Sequence, residues 1–217
     1  MTKTGEAARP MPTIEPETLG ETWLLYQKQI ITGAIVIAMG AGGFWLWSRS
    51  GQIREEKAAA AFIPAEATFL SGNKFLAQAE LEKITTRYKG TTAGTQAAML
   101  NAQVLFEQGK NAEGIALLES VAGSAPKALR AGIQGLIGSG LENSGKPAEA
   151  AVAFAKAAAA SAFAVDSDMY RMEQARSLMA ANDAAGASKL YKEISVREDS
   201  PFAGEAKVRL GEANAKP

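Results

Sequence analysis

The sequence predicts an all-α protein: a single N-terminal transmembrane helix, then a solenoid of about four helical hairpins and a capping helix. Three observations predict this fold class. Residues 30–47 carry no charged side chain. The rest of the chain repeats every 36 or 37 residues, a period typical of helical-hairpin solenoids. Ala and Gly are abundant while β-branched runs are scarce, which favours closely packed helices over sheet.

The N-terminal tail, residues 1–29, is polar at first and amphipathic towards the membrane from Thr18. Its first 17 residues are expected to be disordered. Residues 30–48 are predicted to be the transmembrane helix, since their uncharged run spans roughly 27 Å, close to the thickness of the bilayer core. No cleavage site follows, which favours an uncleaved anchor over an export signal. A buried soluble helix is disfavoured because the remaining amphipathic helices offer it no obvious partner shell.

Two side-chain patterns support the transmembrane helix. Aromatic residues flank it at both ends, which is typical of a membrane interface: Trp23, Tyr26, Trp45 and Trp47. Small residues recur at four-residue spacing and predict a face that packs against another membrane helix: Ala34, Ala38 and Gly42. Equally, Gly and Ala are simply common in membrane spans.

The repeat is marked by a turn residue in each hairpin: Gly72, Gly109, Gly145 and Asn182. Small residues stand seven before each marker (Ala65, Ala102, Gly138, Ala175) and five after it (Ala77, Gly114, Ala150, Ala187). Large apolar residues stand nine after it (Leu81, Leu118, Phe154, Tyr191). Two antiparallel helices approach closely where both present small residues, and a large residue one turn later fills the groove beside them.

These positions predict hairpins at 50–71/74–88, 93–108/111–122, 126–144/147–161 and 167–181/184–196. Ser200 and Pro201 are expected to open a final helix whose polar outer face caps the stack. Pro64 is expected to kink or interrupt the first helix.

The repeat domain, residues 49–217, resembles the tetratricopeptide repeat in its small residues and in the aromatic or large residue after the second of them. It lacks that family's early Trp and Tyr, and its period is longer. The order of a short tail, one span ending in GGFWLWSRSGQIREEKAAAAF and a repeat domain resembles the YfgM family, ancillary subunits of the bacterial Sec translocon.

The membrane orientation is contested. Three cations follow the span (Arg49, Arg54 and Lys57) and Lys28 alone precedes it closely, which by the positive-inside rule predicts a cytoplasmic repeat domain. The YfgM resemblance instead implies a bacterial inner-membrane protein with a cytoplasmic N-terminus and a periplasmic repeat domain. We follow the resemblance, because three cations are a weak signal on a folded, exported domain.

No catalytic motif stands out. The stretch GLENSGKP fits a phosphate-binding loop, but Pro147 replaces the Mg²⁺-binding Ser or Thr and no strand precedes it. Asp166 and Asp168 near Glu173 could form a carboxylate site, but Asp166 or Ser167 is better interpreted as a helix N-cap. The sequence therefore predicts a protein that is not an enzyme and needs no cofactor. Without His or Cys it also lacks nearly all metal sites, and its zero net charge offers no basic excess for nucleic acid.

The tetratricopeptide resemblance implies a groove lined by first-helix positions on either side of the small residue. Carried onto this chain, these positions are Phe62, Glu66, Phe69, Met99, Gln103, Phe106, Glu142, Met172, Arg176 and Met179, with Ser139 and Gly135 beside them. Met and aromatic side chains beside polar ones suit an adaptable protein-binding surface. Some of these residues could instead be ordinary core between repeats.

Two functions are compatible with this plan. The YfgM resemblance implies a membrane-anchored protein–protein interaction module whose partners are translocon subunits or envelope clients, beside the lipid bilayer. The alternative is a structural or scaffold subunit present in fixed ratio in a large membrane complex, for example a respiratory or photosynthetic one.

Overall fold

The computed structural model describes the backbone of residues 16–215 and the side chains of residues 26–29 and 31–215. The described residues form nine α-helices and one short 3-10 helix, with no strand among them. In chain order the helices are α1 (Pro16–Leu70), α2 (Lys74–Arg87), α3 (Thr92–Glu107), α4 (Asn111–Ala122), a 3-10 helix (Lys127–Leu129), α5 (Arg130–Asn143), α6 (Pro147–Ala160), α7 (Ala164–Ala180), α8 (Ala184–Ser195) and α9 (Ala203–Ala215). The predicted all-α hairpin solenoid is confirmed.

The chain divides into two compact units after Gly51. We call them the N-terminal unit and the repeat unit, and α1 contributes residues to both. In the repeat unit each helix from α2 onward packs against the next, and α3 also contacts α5. The expected disorder of the first 17 residues falls almost entirely outside the described residues.

The turns of the repeat unit have the backbone that their residue types favour. Left-handed φ angles occur at all four predicted markers: +87° at Gly72, +74° at Gly109, +70° at Gly145 and +64° at Asn182. Gly adopts this conformation without the steric cost that a Cβ brings, and Asn tolerates it better than most residues. Each hairpin therefore closes at the position that the 36- to 37-residue period predicts.

The packing positions of the repeat are all buried. The small residues on both helices of each hairpin lie inside, and so do the large residues that follow them. Two of the large residues, Leu81 and Leu118, have no exposed surface. Burying a Leu side chain stabilises the fold by about 1.5–3 kcal/mol, so these positions carry much of the hydrophobic stabilisation.

Two predictions about Pro residues are corrected: Pro64 does not interrupt the first helix, although a kink there stays a prediction, and Pro201 does not open the last helix. Helix α1 runs through Pro64 without interruption, and the Thr68 hydroxyl donates to the Pro64 carbonyl at 2.9 Å. The carbonyl that Pro64 leaves without a donor belongs to Ala60, which is exposed and can be hydrated. Pro201 lies in a turn before α9, which begins at Ala203, and the Ser200 hydroxyl accepts from the Phe202 amide at 3.4 Å within that turn.

The predicted N-cap at Asp166 or Ser167 is also wrong. Helix α7 begins earlier, at Ala164, because the extended backbone ends at Phe163. Asp166 still lies in the first turn, where its charge is favourable. Asp168 is 1% exposed and accepts from the Arg197 guanidinium at 2.6 Å, which ties α7 to the loop before α9.

Candidate protein-binding cleft

A cleft runs along the repeat unit, formed mainly by α3, α5, α7 and α9. It consists of two adjoining hollows of about 410 Å³ and about 290 Å³. Met169, Glu173 and Arg176 on α7 line both hollows, so the two are continuous. The first helix of each of the last three hairpins (α3, α5 and α7) contributes most of the walls, because the second helix of each hairpin lies on the other side.

Methionine is concentrated in this cleft. The repeat unit contains four Met residues, and all four line it: Met99, Met169, Met172 and Met179. Phe202 adds aromatic surface at the α9 end, while Tyr191 lines the hollow from the core and is 3% exposed. Met side chains are unbranched and polarizable, and they adapt to partners of different shape. The lining therefore suits protein segments better than one small rigid ligand.

Glycines of α5 let neighbouring helices approach, and two of them, Gly132 and Gly135, line the cleft. A Cβ atom on Gly135 would lie 2.5 Å from the Tyr170 ring, and one on Gly138 would lie 2.8 Å from the Phe154 ring. Glycines inside a helix are unfavourable by about 1 kcal/mol each relative to Ala. Here they admit large side chains from neighbouring helices, which brings α6 and α7 close to α5.

The charged residues of the cleft form two triads in which one Arg lies between two Glu. Arg176 contacts Glu142 at 3.1 Å and also pairs with Glu173. Arg209 on α9 lies 3.5 Å from Glu205 and 3.1 Å from Glu212. We call these the α7 triad and the α9 triad, and each has a formal net charge of −1.

Burial shifts the pKa of two groups in the cleft wall. It raises the pKa of the Glu173 carboxyl, where Arg176 opposes the shift and the neighbouring Glu142 and Glu205 add to it. It also raises the pKa of the Tyr191 hydroxyl. The cleft therefore holds partly desolvated acidic groups beside apolar surface.

Of the residues proposed for the groove, five line the cleft: Met99, Gln103, Met172, Arg176 and Met179. Glu142 belongs to the α7 triad and accepts from the Ser177 hydroxyl at 2.7 Å. The remaining four residues do not line either hollow: Phe62, Glu66, Phe69 and Phe106. Phe62 is 6% exposed in the core of the first hairpin, and Phe69 packs against the same core.

Sequence reasoning did not include the α9 wall or the α7 residues Met169 and Glu173. Helix α9 looked like a polar cap, yet Glu205, Arg209 and Glu212 all face the cleft. Their spacing of four and then three residues places them on one helix face, and this was the available signal.

The N-terminal unit exposes its apolar residues. Within the described residues one helix, Tyr26–Leu70, is long and apolar enough to cross a membrane, and none of its most apolar window is buried. Tyr26, Trp45 and Trp47 are exposed, whereas the side chain of Trp23 lies outside the described residues. The predicted packing residues Ala34, Ala38 and Gly42 are also exposed within this unit. Their role stays a prediction.

The sequence that resembled a phosphate-binding loop is the turn between α5 and α6. Gly145 is its left-handed residue, and Lys146 pairs with Glu149 at the exposed start of α6. A helix precedes the loop where a phosphate site of this type needs a strand. The repeat explains the motif.

The helical hairpins and the cleft define a helical repeat protein. A family model described as "Tetratricopeptide repeat-like domain" matches residues 21–165. This match covers more than half of the chain, so the chain belongs to the tetratricopeptide repeat-like domain family. Such repeats indicate a protein–protein interaction module, and the fold is typically non-catalytic.

Solved structures support the same fold. Two crystal structures superpose on this chain, each with a TM-score of 0.58 at 16% identity. Both are of nearly identical TPR-like repeats from a candidate kinesin light chain of Podosopora anserina, and one is a point variant of the other. Each match covers 73% of this chain, and 85% or 86% of the other. At this identity the likeness concerns the fold alone. Comparison with curated proteins gives no match.

Proposed function

We propose that this protein is a membrane-anchored interaction module whose repeat unit binds segments of other proteins in its cleft. The observation that carries this proposal is the concentration of all four Met residues of the repeat unit along one continuous cleft. In a helical core Met would instead be scattered as a filler. An anchor would raise the local concentration of the cleft beside the membrane, so modest affinity for each partner would suffice.

The anchor itself is proposed from the apolar part of α1. Exposed Ile, Val, Met, Phe and Leu side chains surround this helix, and water is a poor solvent for such a surface. We propose residues 1–29 as the tail, 30–48 as the span and 49–217 as the repeat domain. Ala34, Ala38 and Gly42 would pack against a neighbouring membrane helix.

The resemblance to the YfgM family supports a bacterial inner-membrane location, with the N-terminus in the cytoplasm and the repeat domain in the periplasm. Translocon subunits and envelope clients would then be the partners. Because the chain has no Cys, one engineered Cys provides a unique label for topology. We expect Ser71→Cys to react with a membrane-impermeant maleimide added outside spheroplasts. Labelling only after lysis would place the repeat domain in the cytoplasm.

A second candidate is a scaffold subunit in a large membrane complex. An exposed apolar surface on the first hairpin of the repeat unit favours the scaffold. It consists of Ile63, Leu70, Phe75 and Leu76. Phe75 is 85% exposed. A fixed neighbour covering this surface would remove the penalty of hydrating it.

A tagged purification from native membranes in mild detergent, with stoichiometry by mass spectrometry, separates the two candidates. Translocon subunits with many substoichiometric envelope proteins would support the interaction module. One complex in fixed ratio would support the scaffold. Recovery of the protein in the soluble fraction, away from membranes, would contradict both.

A further inference from the structure

We propose that the α7–α9 end of the cleft selects partner segments in which Lys or Arg alternates with apolar residues. This inference rests on the proposed function and names the chemistry of its partner. It concerns the hollow of about 290 Å³ between α7, α8 and α9.

The charges of this hollow favour a cation. Among the described residues that line it, the acidic ones are Glu173, Glu205 and Glu212, and the basic ones are Arg176 and Arg209. Each of these Arg residues already lies between two carboxylates in its triad. An acidic ligand would have to displace those pairs, whereas a basic ligand can use carboxylate oxygens that a single Arg does not saturate.

Desolvation strengthens this preference. The Glu173 side chain is 33% exposed, and burial raises the pKa of its carboxyl. A cation beside it would favour the ionised form that burial disfavours. The α9 triad is more exposed, so it offers attraction at the rim of the hollow.

The apolar part of the ligand follows from the rest of the lining. Met169, Met179 and Phe202 are the accessible apolar residues of this hollow and offer contacts of adaptable shape, whereas Met172 and Tyr191 line it from the core and are almost fully buried. A segment with apolar side chains on this floor and Lys or Arg side chains at the triads satisfies both parts. A purely basic segment would leave the apolar floor unused.

Two peptides test the proposal against the full-length chain in uncharged detergent. Both carry fluorescein and contain Leu and Ala at matched positions, but one has Lys where the other has Glu. Fluorescence anisotropy then measures the two dissociation constants. We expect the Lys peptide to bind about five- to tenfold more tightly, and its advantage to shrink at high salt.

Two double variants test whether the tighter binding of the Lys peptide depends on the cleft. Glu205→Gln with Glu212→Gln should remove most of the advantage, since both residues are exposed rim positions and their loss leaves the fold intact. Glu193→Gln with Glu198→Gln changes the net charge equally on exposed residues outside the cleft and should leave the advantage unchanged. Equal loss in both pairs would contradict the proposal and reduce it to a net-charge effect.

The remaining outcomes separate this inference from the proposed function. Equal affinity for the two peptides, lowered by a Met169→Ala and Met179→Ala variant that changes only partly exposed residues of the hollow, would overturn the basic selection and keep the interaction cleft. Binding of neither peptide at any accessible concentration would overturn both.

Discussion

Leu46 in the N-terminal unit and Leu118 in the repeat unit are the same side chain on helices of the same kind. Leu46 is 63% exposed within its unit, whereas Leu118 has no exposed surface. The difference extends to their neighbours, since exposed Ile, Val, Phe and Trp side chains surround the first and small residues of adjacent helices surround the second. The repeat unit buries its apolar side chains by packing helices against one another, whereas the N-terminal unit leaves its own exposed. Helix formation alone therefore does not distinguish an anchor from a core.

The largest expected effect tests whether the exposed apolar residues of α1 anchor the chain in a membrane. Ile37→Arg with Met39→Arg places two cations in the centre of the exposed apolar run, at a cost of about 6 kcal/mol to membrane insertion. We expect the variant to leave the membrane pellet after an alkaline carbonate wash while the parent chain stays in it.

The control places the same cations elsewhere. Val152→Arg with Val208→Arg alters two exposed apolar residues of the repeat unit and should not change the distribution. If the double variant of α1 stayed in the pellet as the parent does, α1 would not be the anchor.

The next effect concerns the packed unit. Leu118→Ala should lower the free energy of unfolding of the repeat unit by about 3 kcal/mol, because it leaves a cavity among residues that cannot fully collapse. Urea unfolding in detergent, followed by circular dichroism, measures the change. Leu46→Ala removes the same atoms from the N-terminal unit and should leave that transition in place, and equal losses would contradict the contrast between the units.

A smaller effect tests how closely the helices of the repeat unit pack at a glycine. Gly138→Ala should destabilise it by about 2 kcal/mol, because the added methyl meets the Phe154 ring, which is itself 2% exposed and cannot move away. Gly204→Ala in α9 has no neighbour within 4 Å and should stabilise the fold by about 0.5–1 kcal/mol through helix propensity. Thermal unfolding of both variants checks the opposite signs.

The smallest expected effect depends on pH. The pKa of Glu173 is raised in the folded chain, so the folded state binds more protons than the unfolded state as pH rises above the ordinary value of 4.5. The contribution of this group to stability is therefore lost as pH rises through its folded pKa. Glu173→Gln does not titrate, and the stability of the parent relative to this variant should fall over that window.

The repeat architecture was predictable because its signals are local. Turn residues and small packing positions recur in the sequence, and their spacing follows directly from helix length. Helix ends were less predictable, as at α7, which begins at Ala164 after the extended backbone of Phe163 although Asp166 and Ser167 are the better N-cap residue types.

The cleft was predictable in part. Met99 and Met179 followed from family positions on a first helix, but the same rule also chose Phe62 and Met172, which are buried. Whether a first-helix residue faces the cleft or the next repeat depends on how far neighbouring helices approach. On α5 that distance depends on glycines such as Gly135 and on the Tyr170 ring that fills the space. No pattern within one helix contains this information.

Site-specific photo-crosslinking in native membranes tests the central claim most directly. A benzophenone amino acid replaces Met179 in the cleft or Val152 on the exposed face of α6, and mass spectrometry identifies the crosslinked proteins. We expect protein adducts from position 179 and few or none from position 152, with both variants in the membrane fraction. Adducts from position 152 alone would show that partners bind outside the cleft, and would contradict the proposed interaction surface.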